Sequence, residues 1–81
     1  MDQFNIVDID ECTELMMDVF GREPWCDQWE FEQAKTYLME FVNCVSFRGY
    51  VIKDMGKLVA ACFGRKKTYW QGDEYYIDEF F

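Results

Sequence analysis

The hydrophobic repeat of this chain changes once, near residue 46, from a helical period to a strand-like one, and that change limits the architectures open to it. Before the change, Cys12, Leu15, Met16, Val19 and Phe20 recur at the i, i+3, i+4, i+7, i+8 spacing of an amphipathic helix. Asp8 and Asp10 stand where a helix start favours a capping side chain and negative charge. Gly21 stands where a helix stops. A second stripe follows, with Phe31, Ala34, Leu38, Phe41, Val42 and Val45 on one face and Glu32, Lys35 and Glu40 off it. Between the stripes, residues 22–29 read as a loop that holds the one proline and two tryptophans, Trp25 and Trp29. Ahead of the first helix, Phe4 to Val7 reads as a short strand.

After the change, Phe47 to Lys53 reads as a strand, and Asp54-Met55-Gly56-Lys57 as a tight hairpin turn in which Gly56 supplies the positive φ. Leu58 to Lys67 is the next strand, Tyr69 to Asp73 the next turn with Trp70 at its tip, and Glu74 to Phe81 the last strand. The order β-α-α-β-β-β predicts an α+β domain over residues 1–81, with an antiparallel sheet and two helices. Leu58 to Phe63 is apolar on both sides, which asks for cover on both faces of the sheet. In the last strand Tyr75, Ile77 and Phe81 point one way by strict alternation, and Tyr76 and Phe80 the other. A bare aromatic edge strand is a pairing hazard, so this strand is expected to lie against further polypeptide.

Composition narrows the function. Of 81 residues, 51% are hydrophobic and 20% aromatic, too apolar for a disordered segment and near the lower size limit for folding unaided. Sixteen acidic and eight basic side chains leave a net charge of −8, which repels nucleic-acid phosphates and favours a cationic ligand. Arg65, Lys66 and Lys67 read as a solvated strand edge rather than a phosphate site. The chain has no histidine, so Ser-His and Cys-His nucleophile schemes are excluded. Cys12, Cys26, Cys44 and Cys62 form no Cys-x-x-Cys pair; they read as buried reduced thiols, with no metal site. Neither a signal peptide nor a membrane-length apolar run is visible, and a cytoplasmic protein without membrane or nucleic-acid partners is expected.

Three stretches resemble the opening of the GNAT fold of acetyl-CoA-dependent N-acetyltransferases. They are Phe20-Gly21-Arg22-Glu23-Pro24-Trp25 followed by Trp29; Phe47-Arg48-Gly49-Tyr50-Val51 through Gly56-Lys57-Leu58-Val59-Ala60-Ala61-Cys62; and Gly72-Asp73-Glu74-Tyr75-Tyr76-Ile77-Asp78-Glu79-Phe80-Phe81. The resemblance covers essentially the whole chain and implies the N-terminal half of that fold. The family's most specific motif, a glutamine/arginine-x-x-glycine-x-glycine/alanine loop that holds the cofactor pyrophosphate at a helix N-terminus, is not among these residues. Another departure is Glu30, where relatives often carry Thr or Ser as the helix cap; Asp27 is the substitute.

The resemblance implies transfer of an acetyl group from acetyl-coenzyme A to an amine acceptor, with this chain alone inactive and binding no cofactor. By position, Glu79 becomes the candidate base and Asp78 the second, Phe80 and Phe81 offer backbone groups to the cofactor, and Trp25 and Trp29 border the acceptor. Each position also has a plain structural reading. Glu79 and Asp78 serve as solvated strand carboxylates, Glu79 beside Lys66 or Lys67. The two phenylalanines fill the core, and the indoles pin the loop. The alternative function is a non-catalytic module that forms a homodimer through its last strand.

Overall fold

A computed structural model describes all residues, 1–81. Its elements run β1 (Asp2–Gln3), a 3-10 turn (Ile6–Asp8), α1 (Ile9–Phe20), α2 (Phe31–Val42), β2 (Phe47–Asp54), β3 (Lys57–Tyr69) and β4 (Gly72–Phe80). The four strands form one antiparallel sheet in the order β1-β2-β3-β4. The α+β class, the two helices and the antiparallel sheet therefore stand as the periodicity predicts. No helix is long and apolar enough to cross a membrane.

Both helices lie on one face of the sheet. Ile9, Cys12 and Met16 of α1 and Ala34 and Leu38 of α2 join Val51, Leu58, Ala61, Phe63 and Phe81 in a single buried core. Leu15, Val19, Phe20, Phe41 and Val42 pack at its margin. Val45 is not part of it: α2 ends at Val42, and Val45 sits fully exposed in the turn that follows. Thr13 is buried among the apolar residues because its hydroxyl donates to the Ile9 carbonyl four residues back, at 2.8 Å.

The first strand lies earlier than the sequence suggests. Asp2 and Gln3 pair with Val51 and Tyr50, and Ile6 and Val7 turn outward in the 3-10 segment. The reason is local capping. The Asn5 side chain accepts from the Val7 amide at 3.1 Å, and the Asp8 carboxylate accepts from the Asn5 amide at 3.0 Å. Asp8 therefore caps this turn and not α1, to which its side chain gives no capping bond. The same buried carboxylate meets Lys53 at 3.0 Å, tying the turn to β2. Gly21 does end α1, but in right-handed conformation.

The β2–β3 hairpin closes through Met55 and Gly56, both at positive φ (53° and 80°), the geometry of a type I′ turn. The β3–β4 pairing carries a register shift: Phe63 pairs with Glu79 and Gly64 with Ile77, leaving Asp78 as an extra, bulged residue. A one-residue insertion reverses the side-chain phase of everything before it. Tyr75 and Ile77 consequently share the open face with Phe80, and Tyr76 shares the helix-covered face with Phe81, which corrects the strict alternation expected from the sequence. Tyr75 reaches across the open face to donate to the Arg48 carbonyl at 2.7 Å. Only glycine at position 64 permits this, since a Cβ there would come within 2.7 Å of the Tyr75 ring.

Cys12 and Cys62 are buried, but Cys26 and Cys44 are exposed, because they fall in the α1–α2 loop and past the end of α2; all four are free. The basic run of β3 is engaged across the strands: Lys66 meets Asp73 at 3.1 Å, Arg65 lies 3.7 Å from Asp78, and Arg65 and Lys67 both lie over the Tyr76 ring.

Phe63 is fully buried and touches three other aromatic rings. Phe63→Ala is expected to cost about 3–5 kcal/mol in urea unfolding. Val45→Ala, on an exposed turn, should stay within about 0.5 kcal/mol of the parent.

Candidate functional site

The α1–α2 loop folds back on the end of α1. The Cys26 amide donates to the Arg22 carbonyl and the Asp27 amide to the Phe20 carbonyl, both at 2.8 Å, with Cys26 at a left-handed φ of 52° that reverses the chain. Trp25 packs edge-on against Phe20 at 5.2 Å between ring centroids. Trp29 lies against Tyr37 of α2 at 5.2 Å, and its indole N–H donates to Asp27 at 3.3 Å. Asp27 is thus held by an indole and does not cap α2, whose N-cap Glu30 also makes no side-chain capping bond.

These anchors open a cleft of about 180 Å³ between the helix ends and the end of β4, lined by Met16, Phe20, Trp25, Asp27, Trp29, Tyr37 and Glu79. Three of the six sequence-derived site residues, Trp25, Trp29 and Glu79, meet in it. Glu79 is half-buried, on the helix-covered face, and accepts a short hydrogen bond from the Tyr37 hydroxyl. Its partner is therefore a phenol, not Lys66 or Lys67.

The other three positions lie apart. Asp78, the bulged residue, turns to Arg65. Phe80 stands on the open face, 64% exposed, while Phe81 is buried in the core. Their backbones differ in the same sense. The Phe81 amide and carbonyl are both spent on Ala61, at 2.9 and 2.6 Å. Hydrogen-bonded and non-hydrogen-bonded pairs alternate along an antiparallel ladder, so the Phe80 amide and carbonyl face the unpaired outer edge of β4. Of the two residues, Phe80 is the one with backbone groups to offer.

Tyr37 is the residue that sequence reasoning missed. It sits three residues after Ala34 and four before Phe41, at the margin of the α2 stripe, where an aromatic ring with a polar tip serves a boundary between core and cleft. Burial first, then the hydrogen bond to Glu79 and that carboxylate's charge, push its hydroxyl from 10.0 up to about 12. At neutral pH it is a fixed donor that holds Glu79 in one orientation. No three His, Cys, Asp or Glu side chains cluster as metal ligands do.

The chain matches no protein-family model, no curated protein and no solved structure.

A phenol whose proton is held more tightly in the folded state contributes stability below its unfolded value of 10.0 and loses it as pH rises through about 12. The buried thiol of Cys12, raised from 9.0 to about 12 mainly by desolvation, acts with the same sign. Urea unfolding is expected to show stability falling across that alkaline window. Tyr37→Phe should make the fall shallower there; a wild-type-minus-variant difference that is constant with pH would argue against the Tyr37–Glu79 bond.

Proposed function

We propose that this chain is the N-terminal part of a GNAT-type N-acetyltransferase, and that its cleft is the acceptor side of the active site. The observation that carries the reading is the convergence of Trp25, Trp29 and Glu79 on one cleft. The resemblance assigns the first two to the acceptor border and the third to the base, and they come from a loop and a strand fifty residues apart in sequence. The order of elements and the paired helices over one sheet face support it further.

The chemistry asked of these residues is modest. An amine attacks an acyl carbon only after its ammonium form loses a proton. Glu79 takes that proton. Tyr37 is a positioning residue, since its hydroxyl keeps the carboxylate turned into the cleft. Acetyl-coenzyme A, when bound, supplies the activated acetyl thioester. The outward-facing amide and carbonyl of Phe80 suit an extended, amide-bearing arm such as pantetheine, and a pyrophosphate-binding motif is not among the 81 residues. Asp78, paired with Arg65, has no part in the proton transfer.

The test begins with the reading frame beyond Phe81, which is expected to encode a glycine-rich turn opening a helix; an immediate stop codon would overturn the reading. In the product of that frame, thiol release from acetyl-coenzyme A with an amine should fall about 10²-fold or more for Glu79→Gln and change little for Asp78→Asn. Equal losses for both would remove Glu79 from its role.

One observation favours the second reading, a homodimer through β4: its outer edge pairs with nothing. Charge restricts how two copies can meet there. An antiparallel pairing centred on Tyr76 sets Asp73 opposite Glu79 and Glu74 opposite Asp78, and like charges opposed across strands repel. A pairing centred on Ile77 instead sets Tyr76 opposite Asp78 and Tyr75 opposite Glu79, with no opposed carboxylates. Light scattering over a concentration series is expected to give a dimer that Ile77→Lys abolishes, if this reading holds; a monomer throughout removes it.

A further inference from the structure

The cleft discriminates by what its polar groups have left to offer. The Trp29 indole N–H is spent on Asp27 and the Tyr37 hydroxyl on Glu79. The carboxylates are acceptors only, each with about four lone-pair sites, so acceptor capacity remains where most donor capacity is used. No lysine or arginine lines the cleft, and the chain carries a charge of −8. A phosphate, a carboxylate or a sugar rich in acceptors finds little here. A hydrogen-bond donor with positive charge finds the half-buried Glu79 carboxylate and the aromatic side chains Phe20, Trp25, Trp29 and Tyr37 around it.

Size sets a second limit. Pockets for drug-sized ligands run to about 300–1,000 Å³, and this one is about 180 Å³. It encloses a group the size of a small amine, and only one end of anything larger. One half-buried carboxylate among aromatic side chains suits one charge. The second carboxylate, Asp27, is exposed and already held by Trp29.

We infer that the cleft binds a small primary ammonium carried on a flat apolar body, with the ammonium against Glu79 and the body between Trp25 and Trp29. This deepens the acceptor-site reading and rests on it for what becomes of the amine; binding itself rests on the cleft alone. A primary ammonium keeps the N–H groups that the Glu79 carboxylate accepts, which a quaternary ammonium lacks. A polyamine's further charges meet only Asp27, an exposed carboxylate that already accepts from the Trp29 indole.

The probe is phenethylammonium, titrated into the 81-residue chain at neutral pH and followed by tryptophan fluorescence and calorimetry. Phenethyl alcohol, putrescine and tetramethylammonium serve as comparisons. Saturable binding of phenethylammonium is expected, with phenethyl alcohol and tetramethylammonium about tenfold or more weaker, since each loses a hydrogen bond between charged partners worth at least one decade in affinity, and with putrescine weaker because it has no flat apolar body to set against the indoles. Raising the ionic strength should weaken the ammonium and leave the alcohol unchanged. Glu79→Gln should cost the ammonium about tenfold; if that variant fails to fold, the salt series on the unmodified chain separates the same two outcomes. Equal binding of amine and alcohol, tighter binding of putrescine, or no saturable binding overturns the inference. Binding as expected, with no acetyl transfer by the full reading-frame product, sinks the enzyme reading alone. Acetyl transfer to some other amine, with phenethylammonium unbound, sinks this inference alone.

Discussion

The edge-to-face and tilted stacking around Phe63 is the interaction on which the rest of the molecule depends. Its ring, on the central strand β3, meets Phe4 at 5.1 Å, Phe47 at 5.4 Å and Phe81 at 5.9 Å. One side chain thereby ties the N-terminal segment, β2 and the residue following β4 to the sheet's middle. The contacts continue outward, since Phe81 meets Phe20 at 6.3 Å and Phe20 holds Trp25. The wall of the cleft is thus the last ring in a chain that starts in the core. A core built from rings has few alternative packings, because each ring has a preferred edge-to-face geometry with its neighbours. That rigidity lets a loop residue such as Trp25 hold a fixed position without regular secondary structure around it.

The bulge at Asp78 performs a second positioning task. Were β4 regular, Tyr75 and Ile77 would share a face with Glu79. The extra residue reverses the phase. It sends Tyr75 and Ile77 to the open face and leaves Glu79 facing Tyr37. It also separates the two neighbouring carboxylates, so that Asp78 is neutralised by Arg65 and Glu79 is turned toward the cleft. The two candidate acids, adjacent in sequence, acquire different environments through one backbone irregularity.

The sequence carries the helices and the main hairpin because their signals are local: the stripe from Cys12 to Phe20, the stripe from Phe31 to Val42, and the Met55-Gly56 turn each record their own geometry. It misplaces β1, because Phe4 to Val7 is apolar enough to read as a strand, whereas Asn5 and Asp8 close a capping box that wins the segment for a turn. The β4 bulge is invisible, since strand pairing is a property of two segments and only β3 reveals the slip. Trp25, Trp29 and Glu79 are legible as site candidates through resemblance. Tyr37 is not, because its role depends on a partner 42 residues away. The exposure of Cys26 and Cys44 is equally hidden, since apolar neighbours in sequence are not neighbours in space.

A chain that is 51% hydrophobic buries only 15 of its 81 residues, and where the surplus lies has meaning. Scattered exposed apolar side chains are ordinary on any protein. Several of them share one place: Ile52, Tyr75, Ile77 and Phe80 occupy the open face of the sheet beside the half-buried Tyr50, and Met1, Tyr50, Ile52, Ala60, Cys62 and Phe80 line an apolar depression there. Contiguous apolar patches, unlike scattered residues, are where proteins tend to meet other surfaces. Two short helices cannot wrap both faces of a four-stranded sheet, and both are used on the Phe63 side. The open face and the unpaired edge of β4 adjoin each other through Ile77 and Phe80, so a single added element could satisfy the edge's backbone groups and begin to cover the patch. The cleft needs no such addition, because its walls are anchored from within: Trp25 rests on Phe20, Trp29 on Tyr37, and Phe20 on the core ring of Phe81.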